Sequence, residues 1–81
     1  MSLNLSVAKR VPTEQELNSI QIGDSVKLLI NDKERMWVEV TEIKGGILKG
    51  KIDTVPYVIT EVHFGDIVPF KKENICEILK R

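Results

Sequence analysis

Cysteine and histidine are almost absent from this chain, which has one of each among its 81 residues. A single cysteine cannot form an internal disulfide, so we interpret Cys76 as a small core residue in a protein of a reducing compartment. His63 could pair with Cys76, but the spacing indicates no third residue that would complete a nucleophilic site. No set of ligand-type residues has zinc or calcium spacing. The sequence therefore predicts a protein that is not an enzyme, with no catalytic residue, no metal ligand and no cofactor.

An excess of charge of either sign is also missing. The chain has 12 basic and 12 acidic residues, its formal net charge is zero, and the balance also holds locally. A protein that binds nucleic acid through phosphate contacts usually carries a basic arm or patch, because affinity grows with the number of phosphates it neutralises. The balance weakens that interpretation without excluding it.

Long hydrophobic runs are missing too. No stretch approaches the roughly 20 apolar residues that a transmembrane helix needs. The first residues lack the basic-then-apolar order of a secretory signal. We therefore expect a cytoplasmic protein that has no membrane partner.

The chain contains one short motif twice, a Gly-Asp pair after an apolar residue. The two copies are Ile22-Gly23-Asp24 and Phe64-Gly65-Asp66. In each copy the following apolar residues occupy every second position, the period of a half-buried β-strand. Glycine adopts the positive backbone angle of a tight turn, and aspartate can cap the turn. Each copy therefore predicts a bend that leads into a strand, with both aspartates as turn caps and not as catalytic carboxylates.

Two strands are predicted after the first copy, at residues 25–30 and 35–43. The predicted inward residues are Val26, Leu28, Ile30, Met36, Val38 and Val40. Ile43 is out of phase with this set, which predicts either a β-bulge near Thr41 or Glu42 or a strand end that lies beyond the pleat.

A hairpin follows, because Gly45-Gly46 is typical of a tight turn into the next strand, residues 47–52. Gly50 within that strand indicates close packing or a corner. The remaining predicted elements are a fourth strand at residues 57–62, a strand after Gly65-Asp66, a helical turn at residues 71–74 and a last strand at residues 75–79. Pro69 indicates that the strand after Gly65-Asp66 either lies at an edge or is interrupted at this residue.

One short helix is predicted before the first Gly-Asp pair. Thr13 with Glu16 three residues later matches a capping box, which satisfies free amides at a helix start. Leu17 and Ile20 share one side of this helix, so we expect them to contact the sheet.

These elements predict a mainly β fold. Five to six short strands and hairpin links are typical of a small SH3-like barrel or, alternatively, of a strongly bent antiparallel sheet, with one short N-terminal helix. Residues 1–12 are predicted to form a flexible tail. Residues 13–81 are predicted to form a single small β domain.

Short motifs along residues 22–79 carry a family resemblance. They are Gly23-Asp24 with Val26, the run Glu-Arg-Met-Trp-Val-Glu-Val at 34–40 leading into Gly45-Gly46, Gly50 with Ile52-Asp53 and Pro56, and Gly65-Asp66 followed by Val68 and Phe70. In these motifs the chain resembles the YegJ-like family of small bacterial domains of unknown function. The resemblance implies a bacterial origin and a compact domain, and it implies no activity and no catalytic residue.

Trp37 is the only tryptophan, on the strand face opposite the predicted core residues. Exposed tryptophan is enriched in binding hot spots, because it buries a large area with few rotatable bonds. We take Arg35, Trp37, Glu39 and Tyr57 as candidate binding residues. The alternative is that Trp37 covers the open end of a barrel or packs on the helix of Leu17.

The sequence thus favours a non-catalytic module that binds another protein or a second copy of itself. The alternative is a single-stranded nucleic-acid-binding module that uses the hairpin of Lys44, Lys49 and Lys51, with Lys71 and Lys72 nearby and an aromatic stacking surface. Interleaved acidic residues count against the alternative.

Overall fold

Alternating apolar residues build five antiparallel strands and one short helix in the part of the chain that the structure describes. The structure is a computed structural model describing residue 5, residues 12–58 and residues 60–80. In chain order the elements are α1 (Glu14–Asn18), β1 (Ser25–Ile30), β2 (Glu34–Lys44), β3 (Ile47–Ile52), β4 (Ile67–Phe70), a 3-10 turn (Lys72–Asn74) and β5 (Ile75–Leu79). None of the described helices has the length and apolar character needed to cross a membrane.

The strands form one sheet in the order β4-β3-β2-β1-β5, and each neighbouring pair is antiparallel. β2 is therefore the central strand, and β4 and β5 are the edges. Among the described residues no pairing joins β4 to β5, so the sheet is not closed into a barrel. The predicted mainly β fold with one short helix is confirmed, as an open antiparallel sheet, whereas the SH3-like barrel is not confirmed.

Pro69 lies in the edge strand β4, as predicted, opposite Lys49 of β3. Proline has no N–H, so β4 cannot donate a ladder hydrogen bond at this residue. The missing donor makes β4 a poor central strand and explains its place at the edge.

One face of the sheet holds the core, and the residues predicted to point inward do so. Those of β1 and β2 are fully buried, as are the inward residues of β3: Val26, Leu28, Ile30, Met36, Val38, Val40, Leu48 and Ile52. Leu17 of α1 packs against this cluster and Ile20 is buried within it, which is the orientation predicted from their spacing.

A register shift interrupts β2 at the predicted place. Val40 pairs with Gly50 and Glu42 pairs with Lys49, so Thr41 has no residue opposite it. The extra residue turns Ile43 back towards the face of Leu48, its partner on β3. The bulge therefore accounts for the out-of-phase Ile43.

Gly50 lies where β2 and β3 approach closely. An added Cβ would overlap Cγ1 of Val38 and would lie 2.8 Å from the backbone oxygen of Glu39 and 3.2 Å from the ring of Phe70. Because one of these neighbours is backbone, a side chain here would force the two strands apart. The close packing predicted for Gly50 is confirmed.

The first Gly-Asp corner attaches the start of β1 to β2. Gly23 has a φ of 98°, and its N–H donates to the carbonyl of Val40 at 2.9 Å. The Val40 N–H in turn donates to the carbonyl of Asp24 at 2.9 Å. The Asp24 carboxylate accepts from the N–H of Gln21 at 2.9 Å and closes the turn.

The second corner repeats this geometry between β4 and β3. Gly65 has a φ of 91°, and its N–H donates to the carbonyl of Ile52 at 2.9 Å. The Ile52 N–H donates to the carbonyl of Asp66 at 2.8 Å. The Asp66 carboxylate accepts from the N–H of His63 at 2.8 Å, so both aspartates cap their turns as predicted.

The two corners differ in burial and in charge partner. Asp24 is buried, and its carboxylate forms a short ion pair with Lys80, just beyond β5. The same Lys80 ammonium donates to the carbonyl of Ser19 at 2.6 Å. Asp66 is half-buried, and its Oδ2 lies 3.6 Å from Nδ1 of His63. Only the first corner therefore links the chain before β1 to the residues after β5.

The helix α1 begins with the predicted capping box. The N–H of Glu16 donates to the Thr13 hydroxyl at 3.1 Å, and the N–H of Thr13 donates to the Glu16 carboxylate at 3.1 Å. The backbone hydrogen bond from Thr13, and then the one from its hydroxyl, lower the pKa of Glu16.

The predicted strand at residues 57–62 is wrong, because the described residues between β3 and β4 form an irregular loop. Pro56 has no N–H, and the N–H groups of Tyr57 and Val58 both donate to the carboxylate of Glu34 at 2.8 Å. Amides bonded to a side chain cannot join a strand ladder. Five strands are therefore described, and not six.

The predicted helical turn before the last strand is present as the 3-10 turn. The N–H of Lys71 donates to Oδ1 of Asn74 at 2.9 Å, and Asn74 is buried. The side-chain amide of Asn74 donates to the carbonyl of Leu5 at 3.5 Å, and Leu5 forms an isolated bridge with Ile30. Apart from Leu5 and Pro12, the predicted flexible tail lies outside the described residues.

We predict that Gly50→Ala destabilises the fold by about 2 kcal/mol or more, because its methyl group overpacks the β2–β3 interface. Gly46→Ala is the control, since its Cβ would meet nothing within 4 Å. Urea unfolding of both variants measures the difference. Equal stability of the two variants would contradict the close approach at Gly50.

We predict that Asp24→Asn lowers the free energy of unfolding by about 1–3 kcal/mol, because a buried charge-assisted contact with Lys80 is lost. Asp66→Asn is the matched variant in the second corner. Its amide oxygen can still accept from His63, so we expect a loss of about 1 kcal/mol or less. Chemical denaturation at pH 7 measures the free energy of unfolding of both variants. A larger loss for Asp66→Asn than for Asp24→Asn would refute the stronger stabilising role assigned to Asp24.

We predict a pH-dependent contribution from Glu16. Its pKa is lowered in the folded state from the ordinary value of 4.5, so the contribution is present above that pH and is lost as the pH falls through the lowered value. The difference in thermal midpoint between the wild type and Glu16→Gln should therefore shrink on acidification. Glu14→Gln, which changes the same helical turn, is the control, and a difference that widens in acid would argue against the capping box.

Candidate functional site

The outer face of the central strand carries three of the four candidate binding residues. Arg35, Trp37 and Glu39 alternate along β2 with the buried Met36 and Val38, so they share the face opposite the core. Arg35 is exposed, whereas Trp37 and Glu39 are half-buried. The structure thus brings these three residues together, as predicted.

Trp37 packs against charged side chains and not against the helix. Lys27 of β1 lies directly opposite Trp37, and its ammonium is 4.9 Å from the centroid of the indole ring. The same ammonium is 3.1 Å from a carboxylate oxygen of Glu77 on β5. Such a cation–π contact is worth about 0.5–1 kcal/mol at an exposed site. Trp37 does not pack on Leu17, which was the alternative, because Leu17 packs against the core on the other face of the sheet.

The loop after β3 runs beside β2. The N–H of Asp53 donates to the carbonyl of Trp37 at 2.9 Å, and the N–H of Trp37 donates to the hydroxyl oxygen of Thr54 at 2.9 Å. These two bonds continue the contact of β3 with β2 past the last residue of β3. Both the N–H and the carbonyl of Trp37 are therefore hydrogen-bonded to the loop.

Glu34, at the start of β2, holds the next part of this loop. One of its carboxylate oxygens accepts from the N–H of Tyr57 and the other from the N–H of Val58, each at 2.8 Å. Hydrogen bonds to a charged acceptor are roughly twice as strong as neutral ones. Tyr57, the fourth candidate residue, is thereby fixed at the end of β2 that carries Arg35.

Sequence reasoning missed Glu34 as part of the site. It is not among the candidate binding residues taken from the sequence, and its two partners lie 23 and 24 residues further along the chain. No local spacing signals a bond of that length. Only the preceding turn is locally encoded, since Asn31 and Asp32 both adopt a φ of 55°, which these residue types tolerate.

The loop exposes apolar side chains. Val55 is 74% exposed, Tyr57 94% and Val58 58%. We call residues 55–58, which are Val, Pro, Tyr and Val, the apolar loop segment. Exposed apolar residues that lie close together along the chain mark an interaction site more often than single exposed residues do.

The candidate lysines of the hairpin face acidic residues. Lys49 is paired across the strands with Glu42, and Lys51 with Glu39. Each of these lysines therefore has an opposite charge beside it on the outer face, which reduces the positive potential that a nucleic-acid backbone needs. Lys44 lies at the end of the hairpin, opposite Ile47.

The other two candidate lysines follow β4 and point to different places. Lys71 lines a groove of about 460 Å³, together with Leu5, Ile47, Pro69 and Phe70. Lys72 is turned towards the helix, where its ammonium donates to Oδ1 of Asn18 at 2.9 Å. The five lysines therefore do not form one basic surface.

His63 and Cys76 lie in elements at opposite edges of the sheet. His63 precedes β4, and Cys76 belongs to β5. Among the described residues no hydrogen bond connects the two, and His63 contacts Asp66 instead. No described group of three or more His, Cys, Asp or Glu residues is placed to hold a metal ion.

Comparison with known proteins places the chain in a bacterial family. Residues 6–79 match the family described as "Uncharacterized protein conserved in bacteria (DUF2314)". The chain belongs to this family. The matched range includes both Gly-Asp corners, the Trp37 face and the apolar loop segment. No curated protein and no solved structure gave a match. Membership confirms a bacterial domain of unknown function, while the YegJ-like name from the resemblance is not confirmed.

Proposed function

We propose that this protein is a non-catalytic binding module that contacts another protein through the outer face of β2. The observation that carries the proposal is the position of Trp37. The indole lies half-exposed at the centre of the sheet, with Arg35 and Glu39 on either side of it along the same strand. Tryptophan and arginine are the residue types most enriched in interface hot spots.

The rigidity of this face supports the proposal. Trp37 has its backbone bonded to the loop, and its ring lies beside Lys27, which is itself paired with Glu77. A side chain that is already held in place loses little conformational entropy when a partner binds. The face therefore suits direct docking without rearrangement.

The proposal includes an SH3-like fold, which the order of the strands in the sheet supports. The order β4-β3-β2-β1-β5 and the 3-10 turn between β4 and β5 are features of small five-stranded barrels. We also propose a cytoplasmic location, supported by the single cysteine. Within the bacterial family, we retain the YegJ-like assignment as part of the same proposal.

Docking of side chains is favoured over strand addition. The edge strand β4 contains Pro69, so a peptide pairing with this edge would lack one donor. Nucleic acid is the less favoured ligand, because Lys49 and Lys51 face glutamates.

We predict that Trp37→Ala weakens binding of the partner about 30-fold or more, the loss expected for a hot spot worth about 2 kcal/mol. Proteins captured from a lysate of the source bacterium by the wild type and lost with Trp37→Ala would be identified by mass spectrometry. Each would then be purified and its affinity measured by calorimetry.

Two further variants make this test specific. Arg35→Glu alters an exposed residue of the same face and should weaken binding while the far-UV circular dichroism stays unchanged. Ile22→Ala, at an exposed apolar residue of the first corner, should bind as the wild type does. A purified partner that binds Trp37→Ala and Arg35→Glu with wild-type affinity would refute the proposed face, and steeply salt-dependent binding of a single-stranded oligonucleotide would favour nucleic acid instead.

A further inference from the structure

The helix α1 is too short to be stable by itself. It has five residues, Glu14–Asn18, and none of them is buried. An isolated helix of fewer than about 12 residues is marginal in water, even with good helix-forming residues. The capping box at Thr13 satisfies amides at the start of the helix, but it makes no contact with the sheet. Contacts with the rest of the protein must therefore keep α1 in place.

The apolar contacts of α1 with the core are few. Between residues 12 and 22, all of which the structure describes, Ile20 is the one buried residue. Leu17 packs against the core from a half-buried position, and Ile22 is 67% exposed. Elements with few buried apolar contacts open at a lower free energy than the core does. Burial alone therefore holds α1 weakly.

Two ammonium groups from the last part of the chain bond to the carboxyl end of α1. The Lys72 ammonium donates to Oδ1 of Asn18 at 2.9 Å, and the Lys80 ammonium donates to the carbonyl of Ser19, the C-cap residue, at 2.6 Å. The last turn of α1 has no basic residue of its own. Lys72 and Lys80 therefore supply the positive charge that stabilises a helix C-terminus.

Lys80 is the stronger of these two contacts. Its ammonium also pairs with the carboxylate of Asp24, whose side chain is only 5% exposed. Asp24 belongs to the first Gly-Asp corner, and its carbonyl accepts from the N–H of Val40 on β2. The Lys72 bond lies on the exposed surface and has no such second partner among the printed bonds of the described residues. Lys80 therefore joins the end of α1 to the framework of the sheet.

The chain is attached to the sheet on both sides of α1. Before the helix, Leu5 forms an isolated bridge with Ile30 of β1. After it, the N–H of Gly23 donates to the carbonyl of Val40 on β2. Neither bond involves a residue of α1. Movement of α1 away from the core therefore breaks no strand pairing.

We infer that residues 13–20, which we call the helical strap, open as a unit from a sheet that stays folded, and that Lys80 is the latch that keeps the strap closed. Opening breaks the bonds of Lys72 and Lys80 to the helix end and exposes Leu17 and Ile20. The inference does not depend on the proposed binding function, because the strap covers the core and the Trp37 face lies on the other side of the sheet.

The test is amide hydrogen exchange, measured by NMR at urea concentrations below the unfolding transition. The N–H groups of Leu17 and Ser19 report on the strap, since both donate to carbonyls within it. The N–H of Ile52, which donates to the carbonyl of Asp66, reports on the sheet. We expect the strap amides to exchange faster than Ile52 and with a weaker dependence on urea, because a local opening exposes little surface.

Substitution of Lys80 tests the latch. Lys80→Met keeps the length of the side chain and removes the charge, so it should speed exchange of the strap amides about tenfold, the loss expected for a hydrogen bond from a charged group. Lys80→Arg keeps the charge and should remain close to the wild type. Lys72→Met should have an effect of about threefold or less, because its bond is exposed. Lys44→Met, at the far end of the β2–β3 hairpin, is the control and should change nothing.

Three results would overturn the inference. Strap amides that share the exchange free energy and urea dependence of Ile52 would show that the strap opens only when the whole protein unfolds. Strap amides without any protection in the wild type would show that it is not closed. A separate opening that Lys80→Met does not accelerate would show that Lys80 is not the latch. None of these results bears on binding through Trp37, which is measured with a purified partner.

Discussion

The hydrogen bonds of the two Gly-Asp corners are the constraint on which the rest of this structure depends. In each corner a glycine N–H and an aspartate carbonyl bond to the same residue of an interior strand, Val40 of β2 in one case and Ile52 of β3 in the other. Glycine is needed because both turns have a φ above 90°. The corners fix where β1 and β4 begin, and thereby set the register of these two strands on the β2–β3 pair.

The candidate surfaces follow from this framework. The antiparallel pairing of β2 with β3 and the close contact at Gly50 keep these strands together, so the residues alternating with the core on β2 lie on one ordered face. The second corner brings the two ends of the β3–β4 loop together at Ile52. The loop between these ends lies beside β2, where the carboxylate of Glu34 accepts from the N–H groups of Tyr57 and Val58. These bonds order the backbone of an otherwise irregular connection.

Much of the fold could be predicted from local sequence patterns. Alternation predicted the inward faces of the first three strands, the capping box at Thr13 predicted α1, and the phase of Ile43 predicted the bulge. The predicted strand at residues 57–62 failed because the amides of Tyr57 and Val58 bond to a side chain far away in sequence. Of the candidate site, the shared face of Arg35, Trp37 and Glu39 was predictable, since strand periodicity alone determines it.

By itself, the sequence determined which residues face the core, where the chain turns and that charges are balanced, because these depend on periodicity and on the backbone preferences of glycine, proline and aspartate. The tertiary structure alone decided that the sheet stays open, that Lys27 lies over Trp37 and that Glu34 holds Tyr57. These contacts join residues distant in the chain, and their partners are set by strand order and register, which no local pattern encodes.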